Sequence, residues 1–466
     1  MNYKGQFLNP LWLSFILFLS LYGQSVQAFK EQGKQAYSQE YQVKAFNIYQ
    51  RRAHFGDVDA QLKLVSCYAQ GVGVEADMTM SVLYLKLAEG HGSKIAKDKI
   101  ASFTAKQKTA IQTLWHESAI QKKYGYDVLV KNILPELLEK EFKLRPPRQM
   151  SKTESVSRSM FAPRRNLLTS LIINYDVGHD GRARDIEIDN NIGMDHIALK
   201  GALEQEALKQ YRPANKLKNK KLKVRSFGHR NVWAQRSINE NAIKDRLPRF
   251  YKKVKKLRVN ADKGNANAQY QLAMLILAFP ALEINTMSYI KYIEMAAKAG
   301  IPEAEAEFAQ LLLTGKKIKK DLDQGISYLL SAAQSGYARA QYKLARQFLS
   351  GRIIEKNEHK AQFWLEQSET QDEMYAKFWL ARLSLTSEDQ ALRNPELAKQ
   401  LLANVARQER NNPNWYYFSA LAQLQLGDKK QGRSLLTDGI ELAEEYSWDL
   451  SEFEQLSEQL KVKSDV

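Results

Sequence analysis

The stretch GDVDAQLKLVSCYAQGVGVEAD, from Gly56 to Asp77, decides the fold of this chain. Ala60 and Leu64 follow the first glycine at four and eight positions, which is the spacing of one stripe along a helix. Gly71 marks a loop after this helix. Asp77 predicts the N-cap of a second helix, because its side-chain oxygen can accept a free backbone N–H. The stretch therefore predicts a helix, a loop and the start of a second helix.

Three further stretches repeat the pattern, starting at Gly264, Gly300 and Gly336, and these three glycines are 36 residues apart from one to the next. Their matching columns hold small, large apolar, N-cap and aromatic residues: Ala268, Ala304 and Ala340; Leu272, Phe308 and Leu344; Asn285, Asp321 and Asn357; Tyr292, Tyr328 and Trp364, with Tyr84 in the first unit. One helix pair cannot bury its apolar stripe alone, whereas stacked pairs can. The repeats therefore predict a mainly α chain organised as an α-solenoid.

The pattern G-x3-A-Q-x2-L-x3-Y-x2-G-x-G-V-x2-D resembles the Sel-one-like repeat (SLR) family, relatives of tetratricopeptide (TPR) repeats. The resemblance implies helix–loop–helix units that mediate protein–protein contact. We expect such units in residues 29–118 and 240–372, with degenerate repeat or TPR-like capping helices in 373–466. Phe279-Pro280 replaces the glycine-rich loop of the second unit, which predicts a different turn there. The residues that define the repeat are Gly56, Ala60, Asp77, Ala268, Gly300, Ala304, Asp321, Gly336, Ala340 and Trp364.

The repeat register is interrupted between Gly92 and Gly264, where helical periodicity gives way to strand-like alternation. We assign residues 119–165 to a helix, over 124–142, and a linker, and residues 166–236 to a small α+β domain. Its predicted elements are a strand at 171–177, an Asp180-Gly181 hairpin turn, a half-buried strand in which Ile186 and Ile188 alternate with Asp185, Glu187 and Asp189, a helix at 195–211 and a strand at 222–233. Since the 36-residue register resumes at Gly264, we expect this insert to protrude from the solenoid.

The order strand, Asp-Gly turn, strand, helix, Tyr211-Arg212-Pro213-Ala214 and strand resembles the C-terminal domain of TonB-type proteins. The resemblance implies a sheet whose edge strand can pair with a partner peptide. The chain has only 11 prolines and no proline-rich spacer, and it lacks the Ser-x-x-x-His signature of the TonB anchor. These departures favour a borrowed partner-binding module over a force transducer.

The first 28 residues resemble a secretory signal peptide. Lys4 precedes an uncharged apolar run from Leu11 to Tyr22, and Val26 and Ala28 suit the −3 and −1 positions of a cleavage site. We therefore expect a mature chain that begins near Phe29, has no transmembrane helix and is periplasmic; the alternative is an uncleaved anchor. Cys67 is the only cysteine, which excludes a disulfide within the chain, and a buried apolar role suits its helical position.

Positive charge is concentrated in one part of the chain. Residues 211–258 hold 17 Lys and Arg against 2 Asp and Glu, and the whole chain has a net charge of +17. The segment is either an ordinary solvated surface or a docking surface for an anionic partner, namely an acidic protein, anionic lipid or lipopolysaccharide. Export argues against nucleic acid. The candidate residues are Lys216, Lys218, Lys220, Lys221, Lys223, Arg246, Arg249, Lys252, Lys253, Lys255, Lys256 and Arg258.

Catalytic and cofactor motifs are not found: the chain has no His-Glu-x-x-His, Gly-x-Ser-x-Gly, phosphate-binding loop or dinucleotide fingerprint, and its seven histidines lack metal-ligand spacing. We therefore predict no catalytic residue, no cofactor and no metal. The sequence favours an exported, periplasmic, non-enzymatic scaffold or adaptor for envelope proteins. The alternatives are a component of TonB-linked energy transduction or outer-membrane transport, and an enzyme with an unrecognised site.

Overall fold

The structure is a computed structural model, which describes residues 39–139, 169–211, 224–234, 240–283 and 288–461. The described chain divides into two compact units, one within Met1–Glu136 together with Leu330–Tyr337, the other within Leu137–Leu329 together with Ala338–Val466. The predicted signal peptide, much of the predicted linker, the lysines at 216–223 and the N-cap predicted at Asn285 lie outside the described residues.

The first unit is helical. Its elements are α1 (Gln39–His54), α2 (Val58–Gln70), α3 (Met78–Gly90), α4 (Lys94–Ala101), α5 (Ala105–Glu117), α6 (Ala119–Tyr124) and α7 (Tyr126–Asn132). Of the helix expected over 124–142, the structure has only the short helix α7, which begins after Gly125 and ends at Asn132; residues 140–142 lie outside the described residues. Beyond it, Leu137 forms a backbone bridge with Ile354 instead of extending a helix.

The second unit contains the insert and most of the later repeats. The insert consists of β1 (Ser170–Gly178), β2 (Ala183–Ile192), α8 (His196–Ala207) and β3 (Val224–Ala234). The helices that follow are α9 (Glu240–Arg246), α10 (Pro248–Asp262), α11 (Ala266–Ala278), α12 (Ser288–Lys298), α13 (Pro302–Thr314), α14 (Leu322–Gln334), α15 (Ala338–Ser350), α16 (Glu358–Glu369), α17 (Met374–Thr386), α18 (Pro395–Glu409), α19 (Pro413–Gln425), α20 (Lys429–Glu445) and α21 (Ser451–Lys461). Helix α14 begins in this unit and ends in the first.

The repeat columns have the physical roles that their residue types suggest. The alanines Ala60, Ala268, Ala304 and Ala340 are at most 5% exposed, and Trp364 is fully buried. Asp77 accepts the backbone N–H of Met80, and Asp321 accepts that of Gln324, so both cap the second helix of their units. A buried glutamine beside the alanine column also recurs: Gln61 donates to the carbonyl of Ala53, and Gln269 to that of Ala261, both at 3.1 Å.

Glycines close the second helices by adopting a left-handed backbone. Gly300 has φ 78° and Gly336 has φ 86°, a region in which other residues meet a steric penalty. Asp372 stands at the corresponding position of the next unit and adopts φ 65°, which aspartate tolerates better than most residues. In the repeat that starts at Gly264, helix α11 ends at Ala278 and the chain turns through a 3-10 helix at Pro280–Leu282, in agreement with the different turn expected there.

The insert is a three-stranded antiparallel sheet in the order β2-β1-β3, so β1 is the central strand. One face of β1 carries Leu171, Ile173, Tyr175 and Val177, which form a core with residues of α8. Every residue of β1 is buried, which means that its opposite face, with Asn174 and Asp176, is covered as well. The tight hairpin between β1 and β2 contains Gly181 at φ 81°.

Candidate functional site

The polar face of the insert sheet lies against the first helices of the later repeats. Asp185 and Glu187 of β2 are 7% and 5% exposed, and Asp176 of the neighbouring strand is 1% exposed. The prediction of a half-buried β2 is wrong at these acidic positions, and the insert does not simply protrude. The charged side of the sheet is covered because cations of the repeat helices neutralise it.

Three arginines of α15 and α17 each pair with carboxylates of the insert. Arg382 Nη1 lies 2.8 Å from Asp185 Oδ2. Arg346 lies 3.0 Å from Glu187 Oε1 through Nη1, and its Nη2 lies 2.5 Å from Asp176. These contacts use charged hydrogen bonds, which are shorter and stronger than neutral ones.

Arg339 completes the row at the far end of β2. Its Nη2 lies 2.9 Å from Asp189 Oδ1, while its Nη1 lies 2.9 Å from Glu373 of the repeats. The guanidinium therefore joins a carboxylate of the insert to one of the repeat array. Along β2, the three arginines contact residues 185, 187 and 189 in turn, and the pairing of β2 with β1 is irregular at Asp185 and at Asp189.

The repeats also contact the main chain of β2. The backbone N–H of Ile188 donates to the hydroxyl oxygen of Tyr375 at 2.6 Å. The carbonyl of the same residue accepts from Arg339 Nη2 at 3.1 Å. Side chains of the repeats thus bind both polar backbone groups of this edge-strand residue. These bonds hold β2 in one register against the repeats, in addition to the ion pairs of its carboxylates.

Aromatic rings of the repeat helices support the guanidinium groups. Arg346 and Arg382 each lie over the Trp379 ring, with the guanidinium carbon 3.9 Å from the ring centroid. Arg339 lies 4.4 Å from the centroid of Tyr375. Cation–π contacts of this kind are strongest where water is excluded. We call Arg339, Tyr342, Arg346, Tyr375, Trp379 and Arg382 the arginine face.

Asp185 has an unusual backbone that aims its side chain into this face. It adopts φ 48°, at an irregularity in the β1–β2 pairing. Asn414 of α19 donates to its Oδ1 at 2.8 Å. Burial alone would raise the pKa of Asp185, but Arg382 and the hydrogen bond from Asn414 outweigh it and hold the pKa below the usual value. The carboxylate is therefore held ionised.

Glu187 is also buried against the arginine face. Tyr342 donates its hydroxyl to Glu187 Oε1, which also accepts from Arg346. Burial raises the pKa of Glu187, and the positive charges of Arg339 and Arg346 offset only part of this effect. Burial in the same pocket raises the pKa of the Tyr342 hydroxyl, so that it remains a donor.

A cavity of about 440 Å³ adjoins the arginine face, between the insert and the C-terminal helices. Its lining includes Ile186, Leu203, Tyr375, Glu409, Tyr446 and Trp448. Burial raises the pKa of Glu409 to about 7, with the nearby carboxylates of Asp185 and Glu187 adding to the effect. Asn412 donates to the Glu409 carboxyl at 2.8 Å. The site therefore contains one carboxyl that titrates near neutral pH.

The surface proposed from sequence for an anionic partner lies elsewhere. Arg249, Lys252, Lys253, Lys255 and Lys256 are exposed on α10. Arg258, further along the same helix, is partly buried and donates to the carbonyl of Leu282 at 2.7 Å, so it supports the fold locally. The side chain of Arg246 is not among the described groups, and Lys216, Lys218, Lys220, Lys221 and Lys223 lie outside the described residues.

Within residues 39–139, 169–211, 224–234, 240–283 and 288–461, no group of three or more His, Cys, Asp or Glu side chains could hold a metal ion. Among these same residues, no helix combines the length and the apolar character that crossing a bilayer requires. Cys67 is buried, and burial raises the pKa of its thiol to about 11, which makes it unreactive at neutral pH.

The repeat units match a known family. The family model described as Sel1 repeat matches residues 58–93, 302–337 and 338–372. The chain belongs to the Sel1-repeat family. The resemblance to Sel-one-like repeats is thereby confirmed, and the unit that starts at Gly264, with its different turn, falls outside the matched residues.

Solved structures of several proteins match parts of this Sel1-repeat chain. A Sel1 repeat protein from Oxalobacter formigenes is 32% identical, over 27% of this chain and 94% of its own, with a TM-score of 0.25. The protein c5321, a protective antigen of uropathogenic Escherichia coli strains with an SLR fold, is 15% identical over 91% of this chain and 61% of its own, with a TM-score of 0.34. YrrB, a TPR protein with an unusual peptide-binding site, is 12% identical over 44% and 97%, with a TM-score of 0.31. No curated protein sequence matches the chain.

The arginine face of this Sel1-repeat protein was not identified from sequence, although a signal for it exists. Arg346 and Arg382 are 36 residues apart and so occupy the same column of successive units, as do Arg339 and Tyr375. A polar column shared by the first helices of two successive units indicates a common surface. The acidic alternation of β2 was noted, but nothing in the sequence linked it to that column.

Proposed function

We propose that this Sel1-repeat protein is an exported, periplasmic, non-enzymatic scaffold that binds partner proteins through its repeat surfaces and its insert. The observation that carries the proposal is the contact between the arginine face and β2. First helices of successive repeats already bind an extended segment, through side-chain charges and through the backbone of Ile188. This is the chemistry by which repeat proteins recognise other chains.

The insert supports the same role from its other edge. Its order of two strands, a helix and a third strand, with β1 in the centre of the sheet, agrees with the resemblance to TonB C-terminal domains. The repeats cover β2, whereas among the described strands β3 pairs only with β1. The edge of β3 is therefore the place where we propose that a partner strand adds to the sheet. A component of TonB-linked transport is therefore the second candidate function.

Helix α10 supplies a different kind of surface. Its lysines at 252, 253, 255 and 256 are exposed. We propose that they attract an anionic surface, such as anionic lipid or lipopolysaccharide, because several like charges on one helix raise the local potential. This contact would position the scaffold, while the repeats and the insert would select its protein partners.

In-cell cross-linking of the tagged full chain tests the scaffold. We expect envelope proteins to be recovered with the wild-type chain, and the purified mature form to begin near Phe29. A matched chain that lacks residues 1–28 would stay in the cytoplasm and should recover none of them. Absence of any specific partner from fully recovered protein, or the same partners with the leaderless chain, would contradict the proposal.

The identity of the recovered proteins separates the two candidates. Outer-membrane receptors or inner-membrane motor subunits, together with an uncleaved N-terminus, would favour TonB-linked transport. Other periplasmic or envelope-assembly proteins, together with a cleaved N-terminus, would favour the scaffold. Recovery should be lost when a backbone-blocking proline replaces Val232 in β3, if the β3 edge is the contact.

A further inference from the structure

We infer that the arginine face is a binding site for an extended acidic segment of a partner protein, and that strand β2 occupies it as a tethered internal ligand. The inference rests on the proposed function, because it names the class of partner that the later repeats bind. It also assigns the insert a second role, which is to hold this site closed until a competing segment arrives.

The first argument is that the repeats build the site without help from the insert. Trp379 supports two of the guanidiniums at 3.9 Å, and Tyr375 supports the third at 4.4 Å. Glu373 of the repeats binds Arg339 at 2.9 Å. The arginines are thus oriented by groups on α17, so that less freedom is lost when a carboxylate binds, which favours affinity.

The second argument is that the arginine face contacts carboxylates at alternate positions of β2. Residues 185, 187 and 189 each present a carboxylate to the arginines, at intervals of two residues, and Glu187 lies near both Arg346 and Arg339. Ile188 is bound through its backbone N–H and carbonyl, which any residue type except proline supplies. The site therefore suits an extended segment with acidic residues at every second position, whatever residues lie between them.

The third argument concerns the kind of interface. A buried ion pair contributes less net stability than apolar packing of the same volume, because both charges lose their hydration. The arginine face and its four carboxylates form a contact of this exchangeable kind. The core of the insert lies on the opposite side of its sheet, where Leu171, Ile173 and Tyr175 pack with α8. Release of the acidic face would leave that core assembled.

Tethering predicts how a partner must compete. A ligand in the same chain acts at an effective concentration on the order of millimolar, so a free peptide of the same sequence binds weakly to the closed protein. Weakening the internal strand should raise the apparent affinity for an added peptide in proportion to the open fraction. This dependence distinguishes a closed binding site from a permanent structural contact.

The experiment uses the full chain and a labelled peptide with the sequence of residues 183–192, ARDIEIDNNI. The control peptide carries amides in place of its three carboxylates. The internal strand is weakened by the combined changes Asp185→Asn, Glu187→Gln and Asp189→Asn. We expect this variant to bind the acidic peptide at least about tenfold more tightly than wild type, and to lose that binding when Arg346→Met is added.

Circular dichroism and thermal unfolding establish that the variant retains its helices. A second measurement does not depend on it: an excess of acidic peptide should speed backbone hydrogen exchange at residues 185–189 of the wild-type chain, whereas the amide peptide should not. A folded variant that ignores the acidic peptide, or binds both peptides equally, overturns the inference. If the variant does not fold, unchanged hydrogen exchange at residues 185–189 of the wild-type chain overturns the inference.

The two proposals fail in different ways. If cross-linking in cells recovers partners but the acidic peptide does not bind, the scaffold stands and the arginine face is only an internal lock. If the peptide binds as expected but no partner is recovered in cells, the site is real and the proposed role as an envelope scaffold is wrong.

Discussion

Two positively charged surfaces of this chain are built in opposite ways. On α10, Lys252, Lys253, Lys255 and Lys256 are exposed to solvent. On the arginine face, the guanidinium side chains of Arg339 and Arg346 are only 11% and 13% exposed and lie between aromatic rings and carboxylates. The first surface offers charge to water, and the second uses charge to bind another part of the chain.

The difference shows what net charge can and cannot indicate. Residues 211–258, which include α10, stand out because 17 basic residues face only 2 acidic ones. The arginine face lies in a part of the chain where acidic and basic residues balance, so it leaves no mark on the charge profile. An excess of charge marks a solvated surface, whereas a paired surface cancels and is visible only in three dimensions.

The largest expected effect is the loss of a paired arginine. Arg346→Ala leaves Asp176 and Glu187 without their shared cation, and removal of one partner of a buried pair typically costs about 3–5 kcal/mol of the free energy of unfolding. Urea denaturation measures it. Arg249→Ala on α10 is the control, with an expected change below about 0.5 kcal/mol. Equal losses of unfolding free energy for the two variants would contradict the difference between the paired and the exposed surface.

The next effect depends on pH and concerns Glu409. Because burial raises its pKa to about 7 from an ordinary value of 4.5, the folded protein keeps a proton that the unfolded chain releases. Stability should therefore fall as pH rises from about 4.5 to about 7, by about 3 kcal/mol. Glu409→Gln should remove this loss, so that the variant is more stable than wild type at pH 8 and similar to it at pH 4. The exposed Glu396→Gln should leave the pH profile unchanged.

A smaller effect tests the backbone contact. Tyr375→Phe removes the hydroxyl that accepts the N–H of Ile188, and a buried donor without a partner costs about 1–3 kcal/mol. Hydrogen exchange at Ile188 should also become faster. Tyr41→Phe, at a position that is 63% exposed, is the matched change that should alter neither quantity.

The smallest effect on stability is expected on α10. Replacing Lys252, Lys253, Lys255 and Lys256 with glutamate should change the free energy of unfolding by less than about 0.5 kcal/mol for each substitution. The same variant should lose binding to vesicles that contain anionic lipid, and wild-type binding should weaken as salt rises. Vesicle binding that survives charge reversal would contradict the proposal that the α10 lysines attract an anionic surface.

Much of the fold follows from local spacing. The 36-residue interval between Gly300 and Gly336, the N-cap at Asp321 and the altered turn after Phe279 depend on residues close together in the chain, so they could be read directly. The strands of the insert follow in the same way. The helix expected over 124–142 was wrong because the helix that begins after Gly125 stops at Asn132, and Leu137 instead pairs with Ile354, a contact between distant residues.

The repeat units, the strands of the insert and the alternation of acidic and apolar residues in β2 follow from local sequence, because helix caps, turns and side-chain periodicity act over a few residues. Only the tertiary structure decided what covers the acidic side of that strand. Arg346 and Asp176 are 170 positions apart. Period two shows that a strand has two different faces, but the partner of the charged face depends on which helices the fold brings to it. In the folded chain, the carboxylates of Asp185, Glu187 and Asp189 pair with arginine side chains instead of with water.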